Sequence, residues 1–134
     1  MSDASKRPQF RNIHVTQLAS YRLPLAGLIS ILHRVSGAML FLLLPFVLYL
    51  LEQSLRSEIS FEYFKGITSG WLVKCILLGL SWAYLHHFCA GVRHLFMDMH
   101  IGIEKDSARH SSVVVLAVSL SLAALVALKL LGVF

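Results

Sequence analysis

Long apolar runs separated by short polar stretches define the pattern along the chain. The first run spans residues 24–51, and its uncharged part, residues 35–51, is 17 residues long. That is at the short limit for crossing a bilayer, so the helix must reach back to include Ser30, His33 and Arg34 in its first turns. Pro24 suits the start of such a helix, where its missing N–H costs nothing. Pro45 lies deep inside and is expected to kink it, with neighbouring helices tolerating the break. Residues 52–69 read as a polar loop. A second run covers residues 70–99, with His86 and His87 inside its apolar heart. Residues 100–112 read as a second polar loop, and a third run carries the chain to residue 134. Lys129 sits near the end of this run and can snorkel to an interface.

The pattern predicts an all-α integral membrane protein with three transmembrane helices, at roughly 24–52, 70–99 and 111–134. An arm over residues 1–22 precedes a transmembrane domain over 23–134. Composition agrees: of 134 residues, 57% are hydrophobic and only 14% charged, against about 25% charged in ordinary soluble domains. Length suggests one domain, with no room for a soluble catalytic fold beside the spans. No apolar signal region is visible in residues 1–22, so the first run is expected to insert and stay.

The net charge of +5 does not form a basic stripe on a soluble face, which argues against nucleic acid. The basic residues flank the apolar runs. Lys6, Arg7, Arg11, Arg22, Arg34, Arg93, Lys105 and Arg109 fall on one side; Arg56, Lys65, Lys74 and Lys129 fall on the other. The positive-inside rule then puts the N-terminus in the cytoplasm and the C-terminus in the periplasm of a bacterial inner membrane. Cys75 and Cys89 share one helix and lie roughly 21 Å apart along it, too far for a disulfide.

Polar groups inside a bilayer are costly and mark functional positions. Ser30, His33 and Arg34, spaced three and four apart, share one helix face. The same spacing also suits an interfacial helix start with a snorkelling Arg34. In the second run, His87, Ala90, Gly91 and His94 form one stripe with a small middle. A large flat ligand can press against that backbone while His87 reaches its metal; the small residues also suit helix–helix packing. His86 points about 100° away, on a stripe with Cys89, Ala90 and Arg93, and is the alternative ligand. Haem iron is a good partner for a buried imidazole, since it takes the nitrogen lone pair and the macrocycle is itself apolar. The eleven residues from His87 to Asp98 rise about 16 Å, which places such an iron near mid-membrane. His33, Arg93 and His94 lie at similar depth and can meet the propionates. The chain supplies only one deep ligand, so a second would come from another polypeptide. Both histidines acting as hydrogen-bonded helix–helix glue is the competing reading.

Ser30-Ile31-Leu32-His33-Arg34-Val35-Ser36-Gly37 resembles the S-x-x-H-R-x-S-G signature of the cytochrome b subunit of succinate dehydrogenase, one of that enzyme's two small membrane anchors. His87-Phe88-Cys89-Ala90-Gly91-Val92-Arg93-His94 resembles the second signature of that family, H-x-x-x-G-x-R-H, and is followed by Met97 and Asp98. The lead-in Tyr21-Arg22-Leu23-Pro24 is similar too. The resemblance covers nearly the whole chain. One departure lies in the arm, where Arg7-Pro8 is followed by Gln9-Phe10-Arg11-Asn12 instead of the Ser-Pro-His run of many relatives.

The resemblance implies an anchor that pairs with a second three-helix membrane anchor to hold one b-type haem. The pair docks an iron–sulfur subunit and, through it, a flavoprotein, so that electrons from succinate reach ubiquinone. It implies His87 as one axial haem ligand, and His33, Arg93 and His94 near the propionates. It also implies Ser30 and Arg34 lining the ubiquinone site, with Ile31 packing against the ring. A hydroxyl can donate to a quinone carbonyl, and a permanently charged guanidinium stabilises negative charge developing on it. A quinol:fumarate reductase anchor and a haem-free structural anchor are the alternatives. A small transporter is disfavoured by the lack of broken-helix repeats.

Overall fold

The computed structural model describes residues 22–133, together with His14 and Thr16. The remainder of the expected N-terminal arm lies outside the described residues. The described part is all helical, in the order α1 (Leu25–Arg56), α2 (Glu58–Ser69), α3 (Trp71–Asp98) and α4 (Lys105–Leu130). Helices α1, α3 and α4 are long and apolar enough to cross a membrane.

Each boundary has a local cause. Pro24 stands extended at the start of α1, and its carbonyl accepts from the N–H groups of Gly27 and Leu28 at 2.9 and 3.1 Å. Pro45 falls inside α1 without ending it. Helix α1 stops at Ser57, which is extended at φ −166° and caps the next helix. The Ser60 N–H donates to Ser57 Oγ at 3.1 Å, and the Ser57 N–H donates to Ser60 Oγ at 2.9 Å. This reciprocal pair is a capping box. It turns residues 58–69, expected to form part of a loop, into an amphipathic helix. A Ser at the fourth position in place of the usual Glu or Gln hid the box in the sequence. Beyond α3 the chain reverses through His100 at φ 62° and Gly102 at φ 74°. Carbonyls at the end of α3 accept from Met99, His100 and Ile101, as in a left-handed helix terminus. Helix α4 then begins at Lys105, six residues before the expected 111. Its first turns carry Lys105, Asp106 and Arg109, which disguised them as loop.

Helix α3 packs against both α1 and α4, while α1 and α4 touch each other less. Small residues set the close approach. The buried face of α4 is Ser112, Val115, Ser119 and Ala123, and that of α3 includes Ala83 and Ala90. Ile29, Ala90 and Val115 form one buried cluster that joins the three helices. Where hydrophobic driving force between helices is absent, such small-residue contacts let backbones pack closely. The buried serines satisfy themselves on their own helix: Ser112 Oγ donates to the Ala108 carbonyl at 2.7 Å, and Ser119 Oγ to that of Leu116 at 3.3 Å. Side chains such as Phe41, Leu42 and Leu72 are turned outward, as expected of a surface that meets lipid or another membrane helix. Cys75 and Cys89 are both free thiols.

Candidate functional site

Two helix faces meet at the end of the bundle where α1 begins and α3 finishes. Helix α1 brings His33, Ser36 and Gly37; helix α3 brings His87, Gly91 and His94. The His87 ring lies directly on Gly37. A Cβ built at Gly37 would stand 2.8 Å from His87 Cε1 and 3.2 Å from Nδ1, closer than side-chain atoms approach. Glycine at this position is therefore what lets the imidazole seat against α1. Gly91 faces His33 with more room, since a Cβ there would lie 3.5 Å from His33 Nε2.

The three histidines form a ladder. The His33 and His87 rings stack with centroids 4.1 Å apart and 11° between planes, and the His33 and His94 rings are tilted at 5.0 Å. Only His33 and His87 lie face to face; His94 is tilted against His33. Among the described residues no group of three or more His, Cys, Asp or Glu side chains is arranged to hold a bare metal ion.

Hydrogen bonding fixes the His87 tautomer. Nδ1 lies 3.0 Å from the His33 carbonyl oxygen and 3.3 Å from Ser36 Oγ. The Ser36 hydroxyl already donates to that same carbonyl, at 2.9 Å. A carbonyl only accepts, so Nδ1 must carry the proton and donate it. In the neutral ring the lone pair is then on Nε2, which makes no hydrogen bond to the described residues and is not sealed inside the chain. Metal-bound histidines typically donate the opposite ring N–H to a carbonyl or carboxylate in this way.

His86, the alternative ligand, is placed quite differently. It is 0% exposed, with its ring 5.3 Å from that of Trp82 and near-parallel to it. Neither of its nitrogens, nor Trp82 Nε1, has a hydrogen-bond partner among the described residues; the Ile29 backbone faces His86 without hydrogen-bond geometry. Its one-residue offset from His87 turns it into the three-helix core.

Arg93 follows His86 and not His87. It is 6% exposed, and its guanidinium is directed at α4: Nε donates to Ser111 Oγ at 2.9 Å and Nη2 to the Ala108 carbonyl at 3.4 Å. Its guanidinium is thus turned to a different side of α3 from His94. Positions 86 and 93 share one stripe, 87 and 94 the next, about 100° round the helix. On α1, Arg34 and Ile31 are exposed and Ser30 is half-buried. Ser36 and Gly37 stood in the first motif with no role assigned to them. Their purpose depends on a residue some fifty positions away, and only the polar and glycine pair amid apolar sequence hinted at it.

Comparison with known proteins gives a consistent result. The family described as succinate dehydrogenase/fumarate reductase transmembrane subunit matches residues 6–126. A succinate dehydrogenase cytochrome b556 subunit from Paracoccus denitrificans is 37% identical over 108 residues, covering 81% of this chain and 83% of the relative. The subunit of the same name from Coxiella burnetii is 36% identical over 104 residues, covering 76% and 82%. One from Rickettsia felis is 32% identical over 85 residues, covering 63% and 65%.

Proposed function

The chain belongs to the succinate dehydrogenase/fumarate reductase transmembrane subunit family, and from that premise we propose that it is a haem b-binding membrane anchor of succinate:ubiquinone oxidoreductase. His87 Nε2 is one axial ligand, and a second membrane anchor supplies the other. The two anchors together dock the iron–sulfur subunit, and through it the flavoprotein, to the inner membrane. The distribution of basic residues supports a cytoplasmic N-terminus.

One observation carries the reading: the His33 carbonyl accepts a hydrogen bond from His87 Nδ1–H, which turns Nε2 to the open side. An imidazole oriented through Nδ1–H and open at Nε2 is what an axial position requires. The residues present fit the group. Gly37 seats the ring, Ser36 and the His33 carbonyl set its rotation, and His33 and His94 stand beside it toward the helix ends, where propionates would reach them. Arg93 directs Nε and Nη2 at α4. When bound, the haem supplies a one-electron redox centre whose potential the axial pair tunes.

The quinone role falls to α1. Ser30 and Arg34 sit one turn apart on the face that also carries His33. Ser30 can donate to a quinone carbonyl. Arg34, exposed at the same end of the helix, offers a permanent positive charge to the oxygen as it gains electron density. Exposed Ile31 adds an apolar contact for the ring. Protons must reach the quinone from water or from partner subunits, because neither Ser30 nor Arg34 releases one at neutral pH.

Mild-detergent purification tests the whole reading. A reduced-minus-oxidised spectrum of the intact complex should show a b-type haem, with an iron–sulfur subunit, a flavoprotein and a second anchor in equal amounts. A colourless stoichiometric complex would make the chain a structural anchor only.

A further inference from the structure

Arg93 presents a problem of charge within this chain. It is a guanidinium 6% exposed inside a chain that spans a membrane. A buried charge is costly unless it is paired. Asp98, Glu104 and Asp106 flank the same turn, yet the ion pairs among the described residues are Glu52–Arg56 and Glu62–Lys65 alone. Ser111 and the Ala108 carbonyl take two of its donor directions, and Nη1 bonds none of the described residues.

The group is not sealed in. Arg93 lines a cavity of about 380 Å³ between the end of α3 and the start of α4. The cavity wall has two parts. Cys89, Val92, Phe96, Met97 and Val114 supply apolar lining, while Ser107 and His110, in the first turns of α4, supply polar groups. Arg93 is five residues before the end of α3, or about 7.5 Å of helix rise, which is the depth at which hydrocarbon gives way to headgroups.

We propose that this α3/α4 groove binds one anionic phospholipid, its phosphate on Arg93 beside Ser107 and His110 and an acyl chain in the trough of Val92, Phe96 and Val114. An anion supplies the missing counter-charge, and a guanidinium offers phosphate paired N–H donors. The apolar part of the lining suits a hydrocarbon tail, which a free anion does not have. Lys105 and Arg109, in the first turns of α4, add positive charge at the same membrane surface, and basic pockets between membrane helices are a recurrent means of holding anionic headgroups. The lipid would tie the end of α3 to the start of α4 at a joint otherwise held through Arg93 by two hydrogen bonds. This inference requires the membrane-spanning fold but neither the haem nor the quinone, so its failure leaves the function proposed above untouched.

The test uses the intact complex in nanodiscs of phosphatidylcholine with a minor fraction of phosphatidylglycerol. The complex is then returned to detergent, and retained lipid is identified by mass spectrometry. The wild type should keep phosphatidylglycerol in a one-to-one ratio with this chain. Arg93→Gln should keep none above the level of bulk lipid. Val114→Trp, introduced at a position 46% exposed, leaves the guanidinium intact and fills the trough; it should lose the lipid as well, and it decides the matter if Arg93→Gln does not assemble. Equal retention of both lipids in all three proteins overturns the proposal. So does release of the lipid from the wild type by inorganic phosphate alone, which would make the site one for a free anion. Loss of haem from Arg93→Gln with phosphatidylglycerol still bound would overturn it too, returning Arg93 to the propionates.

Discussion

Replacing Gly37 by alanine perturbs the proposed haem ligand without touching it. The new Cβ would arrive 2.8 Å from His87 Cε1, so the ring must retreat by about 0.6 Å to regain ordinary van der Waals contact. The retreat is away from α1, the helix that holds the His33 carbonyl. It would stretch the Nδ1–H···O bond from 3.0 Å to about 3.6 Å, beyond useful hydrogen bonding. Overpacking of this kind costs about 1–3 kcal/mol, and the lost hydrogen bond adds about 1 kcal/mol. Loss of an outer-shell partner of a ligating histidine typically lowers metal affinity about 10–100-fold. The expected outcome is an assembled complex with reduced haem occupancy, measured as haem per flavin in the purified enzyme and as the haem concentration needed to refill it. Gly91→Ala is the control, because its Cβ would sit at an ordinary 3.5 Å from His33 Nε2; it should keep nearly full haem. Wild-type occupancy and affinity in Gly37→Ala would show that the seat of His87 on α1 has no bearing on haem, and the reasoning would fail.

Other residues give separate readouts. His86→Phe should leave the haem spectrum unchanged and alter stability by less than about 1.5 kcal/mol. It keeps a ring against Trp82 and removes two buried nitrogens that lack partners among the described residues, and replacing unsatisfied polar groups by apolar ones is close to neutral; loss of the haem band would make His86 the ligand. Arg34→Leu should cut ubiquinone reduction severely while succinate oxidation by an artificial dye continues, and full quinone activity in that variant would remove Arg34 from the site. Ser60→Ala should cost about 1 kcal/mol by breaking the capping box at the start of α2, visible as faster amide exchange confined to residues 58–62, with haem content unaffected.

Much of this arrangement is legible along the chain, and the parts that are not share a cause. The three spans declare themselves because bilayer thickness demands long apolar runs, and the stripe of His87, Gly91 and His94 follows from helical repeat alone. The stripe containing His86 and Arg93 follows from the same repeat. What the repeat does not say is which neighbour the Arg93 guanidinium meets, here Ser111 and the Ala108 carbonyl of α4. Helix α2 was hidden because its cap rests on Ser57 and Ser60, a weaker signature than serine followed by glutamate. The early turns of α4 were hidden because charged residues open a helix as readily as they fill a loop. The reason for glycine at position 37 could not be read at all. It is set by an imidazole from a different helix, and a single sequence does not say which residues become neighbours across the bundle. The same holds for the Nδ1–H of His87, whose acceptor is a backbone carbonyl with no signature in any side chain.

The assignment of iron to one nitrogen can be tested by removing the ring and giving it back. In a complex carrying His87→Gly, the b-type haem band should be lost or greatly weakened in the reduced-minus-oxidised spectrum, and it should return when imidazole is added to fill the space above Gly37. A band of wild-type position and size in His87→Gly with no imidazole present would contradict the account.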